Sequence, residues 1–221
     1  MQSNISLNAT KSSAIEINKV LKNTYMLLSM TLAFSAVTAG ISMSMGLPHG
    51  AALIMTLVAF GLLFVVNKKA DQASGIYWIF AFTGLMGASL GPMLNHYAAL
   101  PGGPSLIMQA LGGTALIFFA LSGYALTSKK DFSFMGGFLM VGLIVALVAG
   151  IANIFFQIPA LSLAVSAAVI MIMSGLILFD TSRIIHGGET NYIRATVSLY
   201  LNIYNIFVHL LSLLGVFGSD D

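Results

Sequence analysis

Residues 196–217 read TVSLYLNIYNIFVHLLSLLGVF, and on a helix their polar side chains Ser198, Asn202, Asn205, His209 and Ser212 recur at steps of four, three, four and three. That spacing gathers them on one face, while Leu, Ile, Val and Phe fill the others. At about 1.5 Å per residue the stretch covers roughly 30 Å, the depth of a bilayer's hydrocarbon core. Amides and an imidazole facing lipid are costly, so the stripe is expected to look onto other helices or onto water inside a bundle. The helix that carries it is expected to be the functional core.

The rest of the chain is of the same kind. Of its 221 residues 58% are hydrophobic and 7% charged, where a soluble domain carries about 25% charged residues. Such a chain belongs in a lipid bilayer. Its formal net charge of +2 comes from basic residues scattered in ones and twos, which gives no basis for a nucleic-acid partner. Without cysteine there are no disulfides, thiolate zinc sites, iron–sulfur clusters or cysteine nucleophiles. The 22 Gly and 13 Met suit packed membrane helices.

Apolar runs lie at 21–45, 50–66, 76–94, 105–126, 132–155, 159–179 and 196–217. Each is long enough to span, so the fold class is an all-α membrane protein with seven transmembrane helices. Gly46, Pro48 and Gly50, then Pro101 to Pro104, then Pro159 punctuate the runs. Ahead of them residues 1–20 are polar and rich in Ser and Asn, unlike a signal peptide. They are expected to form a mobile cytoplasmic tail with a short amphipathic turn at 15–20, and residues 21–221 the membrane domain. Met1 to Lys19 is then a candidate handle for a protein partner.

All nine basic residues fall in this tail or in every second loop: Lys11, Lys19, Lys22, Lys68, Lys69, Lys129, Lys130, Arg183 and Arg194. The positive-inside bias places that side in the cytoplasm, so the N-terminus is expected inside and Asp220 and Asp221 outside. Gly84, Gly87, Ala88 and Gly91 form one small-residue packing face, and Gly142, Ala146 and Gly150 another. Pro92 is expected to kink the third helix.

Asp180 closes the sixth run in the sequence LILFDTSRIIHGG. A carboxylate next to long apolar sequence is a candidate proton-sensing switch or cation ligand. The alternative is a helix-end residue at the cytoplasmic interface, paired with Arg183 one turn on. His209 lies deep in the last helix as a candidate proton carrier, or as a neutral imidazole bonded to a neighbouring helix. Asn202 and Asn205 read as interhelical hydrogen-bonders or path-lining groups.

Enzyme signals fail on inspection. Gly87-Ala88-Ser89-Leu90-Gly91 has the written form of a nucleophile elbow but lies inside a span rather than at a strand-to-helix turn. The four His are spread over separate regions, Asp180 has no second intramembrane Asp, and Gly112-Gly113 and Gly187-Gly188 lack a following Lys. The chain is expected not to be an enzyme.

The stretch Gly87-Ala88-Ser89-Leu90-Gly91-Pro92-Met93-Leu94, followed by Ala110, Thr114-Ala115-Leu116-Ile117-Phe118 and Ser122, resembles the signature of the Bax inhibitor-1 (transmembrane Bax inhibitor motif) family. The C-terminal FDTSRIIHGGETNYIRATVSLYLNIYNIFVHLL is similar to its bacterial YccA-like branch. The resemblance implies six helices surrounding a central C-terminal seventh, in the bacterial inner (plasma) membrane. It also implies an acidic dyad governing a calcium leak. The first member matches Asp180-Thr181, whereas the second position, in Leu199-Tyr200-Leu201-Asn202, holds an amide. An Asp–Asn pair lacks like-charge repulsion but keeps a hydrogen bond, and amide oxygen still suits a hard cation. The YccA-like branch is linked to modulation of a membrane-anchored AAA+ protease of the FtsH type through the N-terminal segment. Two expectations follow from the resemblance: a non-enzymatic protease modulator acting through Met1 to Lys19, or a pH-sensitive calcium leak with Asp180 as gate or ligand and Asn202, Asn205, His209 and Arg183 nearby. Calcium at Asp180 is the one metal expected, and no other cofactor.

Overall fold

The computed structural model describes residues 2–217, with side chains from 15 to 216. Among the described residues the chain is helical apart from turns, and seven helical segments are long and apolar enough to cross a membrane. Helix α1 runs Gln2–Ser44, α2 His49–Lys69, α3 Gly75–Ser89, α4 Gly91–Ala98 and α5 Gly103–Ser128. A 3₁₀ turn at Ser133–Met135 leads into α6 at Gly136–Phe156, and α7 Pro159–Ile185 and α8 Tyr192–Phe217 complete the chain.

The boundaries follow local chemistry. No Gly or Pro interrupts residues 2–22, so α1 passes into its span without a break at residue 20. The side chains of the expected partner-binding segment up to residue 14, and Asp220 and Asp221, lie outside the described residues. The third crossing is two helices. Pro92 sits in the first turn of α4, where its missing N–H is harmless, and the helix is interrupted at Leu90, which keeps helical dihedrals. Helix α7 continues past the apolar run to Ile185, which corrects the reading of Asp180 as a helix-end residue. The helix stops where Gly187 turns to φ +73, with Gly188 N bonded to Arg183 O at 2.7 Å and Gly187 N to Ile184 O at 3.2 Å. This is a Schellman cap, and it accounts for the glycine at 187. Helix α8 likewise begins one turn before its apolar run, at Tyr192.

Helix α8 is the central element. Leu199, Ile206 and Leu211 are fully buried along it, and it packs against α1, α3, α5 and α7. The six other spans do not surround it evenly, because α6 rests chiefly on α7 and α2 on α3. Two small-residue seams hold the rest. A Cβ at Gly84 would run into the Phe34 ring, one at Gly87 into the Ser35 carbonyl and Thr38 hydroxyl, and one at Gly91 into Ser42 and the Met43 nitrogen, so α1 meets α3 at Gly87 and α4 at Gly91 backbone to backbone. On the other side Gly142 faces Ile172 and Gly150 faces Val165 across the α6–α7 contact.

Candidate functional site

The polar stripe of α8 is turned towards α7. Asn202, 4% exposed, donates from Nδ2 to Oδ2 of Asp180, 8% exposed, at 2.8 Å. Ser198, one turn earlier on α8, also faces that carboxylate. Two turns beyond Asn202, His209 Nδ1 meets Ser166 Oγ of α7 at 3.1 Å. Here a cavity of about 330 Å³ opens between α6, α7 and α8, lined by Asn153, Ser162, Ser166, His209 and Ser212 among apolar neighbours. His209 thus takes the role of an imidazole bonded to a neighbouring helix, beside a polar cavity.

Two other expected site residues point elsewhere. Asn205 Nδ2 donates to the Leu201 carbonyl of its own helix at 2.8 Å, because an Asn side chain reaches back one turn more readily than it reaches a partner. The Arg183 guanidinium does not pair with Asp180. It donates to Gly188 O at 3.0 Å, lies 3.9 Å from Glu189 and covers the Phe179 ring. The loop that follows α7 offers the guanidinium a carbonyl and a carboxylate, and these take it in place of Asp180.

Glu189 leads into a network on the side of the basic loops. The Arg194 guanidinium forks onto both oxygens of Asp71, each at 3.1 Å, and approaches Glu189 at 3.8 Å. Asn191 donates to Ala70 O and Asp71 Oδ1, so the α2–α3 and α7–α8 loops are tied together. The Arg194 hydrogen bond, and then that of Asn191, hold the Asp71 carboxyl below the usual range.

Sequence reasoning missed the opposite face of α8. At about 100° per residue, Tyr200, Ile203, Tyr204 and Phe207 fall on the side away from Asn202 and His209. Tyr200, 1% exposed, meets Ser35 Oγ at 2.7 Å and donates to the Thr83 carbonyl at 3.3 Å. Tyr204 hydroxyl lies 3.2 Å from Ser89 Oγ. Near Asp180 a second chain runs from Tyr25 through Ser122 to Thr181. The available signal was the Tyr200-to-Tyr204 step of four among residues counted as apolar.

A family model described as inhibitor of apoptosis-promoting Bax1 matches residues 17–219. The chain is 56% identical to "Modulator of FtsH protease YccA" of Escherichia coli K12, over 98% of each chain. It has the same identity and coverage with "Inner membrane protein YccA" of Escherichia coli O6:H1. An uncharacterized membrane protein of Vibrio cholerae is 56% identical over 94% of this chain and 93% of that one.

Proposed function

The chain belongs to the Bax inhibitor-1 family, and from that membership we propose that it is a non-enzymatic protein of the bacterial inner membrane that modulates a membrane-anchored AAA+ protease of the FtsH type. The observation that carries the reading is the 56% identity, over 98% of both chains, to a relative named for that role. Nearly every span and loop therefore has a counterpart there.

Two features suit it. A polar helical lead runs from Gln2 straight into the first span, and the clustering of basic residues argues for a cytoplasmic N-terminus. An AAA+ protease that engages this lead then meets seven apolar helices to extract, locked by backbone-close seams and by the Arg194–Asp71 fork. Slow extraction occupies the protease and so inhibits it.

The test is co-reconstitution of the protease with a reporter substrate and either the full chain or one lacking residues 2–19. The full chain slows reporter turnover; the truncated chain inserts and does not. Equal inhibition by both overturns the handle, and no inhibition by the full chain overturns the function.

A cation leak is the second reading, favoured by the buried Asp180 carboxylate and the polar cavity two turns along α8 at His209. Asp180, Asn202 and His209 would line such a path, with Asn205 turned to its own backbone. A resident calcium does not fit here: it takes about six to eight oxygens, whereas Asn202 presents its amide nitrogen to the one carboxylate. An ion crossing here is cargo. Calcium flux into dye-loaded liposomes that disappears in Asp180→Ala would put this reading first, and no flux at any pH removes it.

A further inference from the structure

We infer that the cleft between α1 and α5 is a binding site for one acyl chain of a bilayer phospholipid, which lies against the aromatic face of α8. The cleft has a volume of about 620 Å³ and is distinct from the Asp180–Asn202 contact, which sits on the other side of α8. Its rims carry Ala36 and Gly40 on α1 and Leu111 and Ala115 on α5, and its floor is Ile203 and Phe207. Nothing lies within 4 Å of a Cβ built on Gly40, so the rim is open at that point. One end is shut by Tyr25, whose ring lies 6.0 Å from that of Phe118 and whose hydroxyl bonds Ser122. Leu90, at the α3–α4 junction, and Leu94 in α4 shut the other.

The lining defines the ligand's chemistry. Six hydroxyl-bearing residues border the cleft, and every one is already hydrogen-bonded within the protein. Tyr25 pairs with Ser122, Ser35 with Tyr200, and Tyr204 with Ser89, while Ser29 and Thr114 donate to carbonyls of their own helices. Each hydroxyl proton is thus already engaged within the protein and the rest of the lining is apolar, so the occupant is hydrocarbon. Size separates the hydrocarbon candidates. From Tyr25 to Gly40 the cleft follows α1 for roughly 22 Å, most of the depth of a bilayer's apolar core. A helix about 10 Å across would need roughly 1,700 Å³ over that length, nearly three times the space present. At about 30 Å³ for a water-sized group, the same space holds about twenty groups in file, the measure of a single acyl chain. A partner's transmembrane helix, or a second copy of this chain, is too thick to enter.

The experiment uses the full chain in phosphatidylethanolamine–phosphatidylglycerol vesicles doped with a phosphatidylcholine that carries a photoreactive diazirine on one acyl chain. Adducts are mapped by peptide mass spectrometry. Label is expected on α8 at Ile203 and Phe207 as well as on the open surfaces at Phe64 and Phe155. It is lost from α8 alone in Ala36→Phe/Ala115→Phe, and reduced several-fold in the milder Ala115→Leu. Label at Phe64 and Phe155 without label on α8 in the unaltered chain overturns the site, whether a second copy or nothing covers the cleft. So does α8 label that persists unchanged when the cleft is filled.

Discussion

Asn202 on α8 and Asp180 on α7 share a 2.8 Å hydrogen bond with both side chains buried, which makes the amide the immediate polar partner of that carboxylate. Replacing it by Asn202→Leu leaves the carboxylate without this donor, a loss of about 1–3 kcal/mol or more for a charged group. Asp180→Asn keeps an amide pair and costs less. Thermal unfolding in detergent should therefore rank wild type above Asp180→Asn, and both above Asn202→Leu. An unchanged melting temperature for Asn202→Leu would count against the contact.

Gly87 is where α3 meets the backbone of α1. Gly87→Leu forces the seam apart at the Ser35 carbonyl and Thr38 hydroxyl and is expected to cost about 1–3 kcal/mol as overpacking. Gly61, with nothing within 4 Å of its Cβ position, is the control. Gly61→Ala should melt at or slightly above wild type, since Ala favours a helix by up to about 1 kcal/mol over Gly.

The Arg194–Asp71 fork should show in the acid limb of stability. Asp71 binds its proton less readily folded than unfolded, so the contribution is complete above the unfolded value of about 3.9 and is lost as pH falls through the lower folded one. Melting curves of wild type and Asp71→Asn should differ by a few degrees at most near neutral pH, as befits an exposed pair. That gap closes below about pH 4. A gap independent of pH would show that the fork carries no ionic part.

Tyr200 hydroxyl ties α8 to both α1 and α3 through Ser35 and Thr83. Tyr200→Phe removes two buried hydrogen bonds without opening a cavity and should lower stability by about 1–3 kcal/mol. Tyr204→Phe removes one longer bond to Ser89 and should cost less.

Much of this architecture was legible in the chain. Seven apolar runs correspond to seven spans, the third crossing divides two residues before Pro92, and the glycine seams fall where residue size places them. The errors share a cause. Hydropathy measures what lipid tolerates, not where a helix stops, so the run ending at Phe179 hid another turn and a half carrying Asp180, Ser182 and Arg183. The true stop is a backbone event at Gly187. Periodicity gave the face on which Asn202, Asn205 and His209 lie, but side-chain reach decides partners, and Asn205 found its own backbone first. The hydroxyls of Tyr200 and Tyr204 stayed hidden because an aromatic ring reads as apolar until its oxygen is placed.

Helix α8 is pinned from two sides at once, by Asn202 and His209 against α7 and by Tyr200 and Tyr204 against α1 and α3. Swivelling it about its own axis would break both sets together. Any working motion of the bundle must then be a tilt or a piston-like slide of outer helices past a stationary spindle. The span freest to make it is α6, which leans on a single principal neighbour.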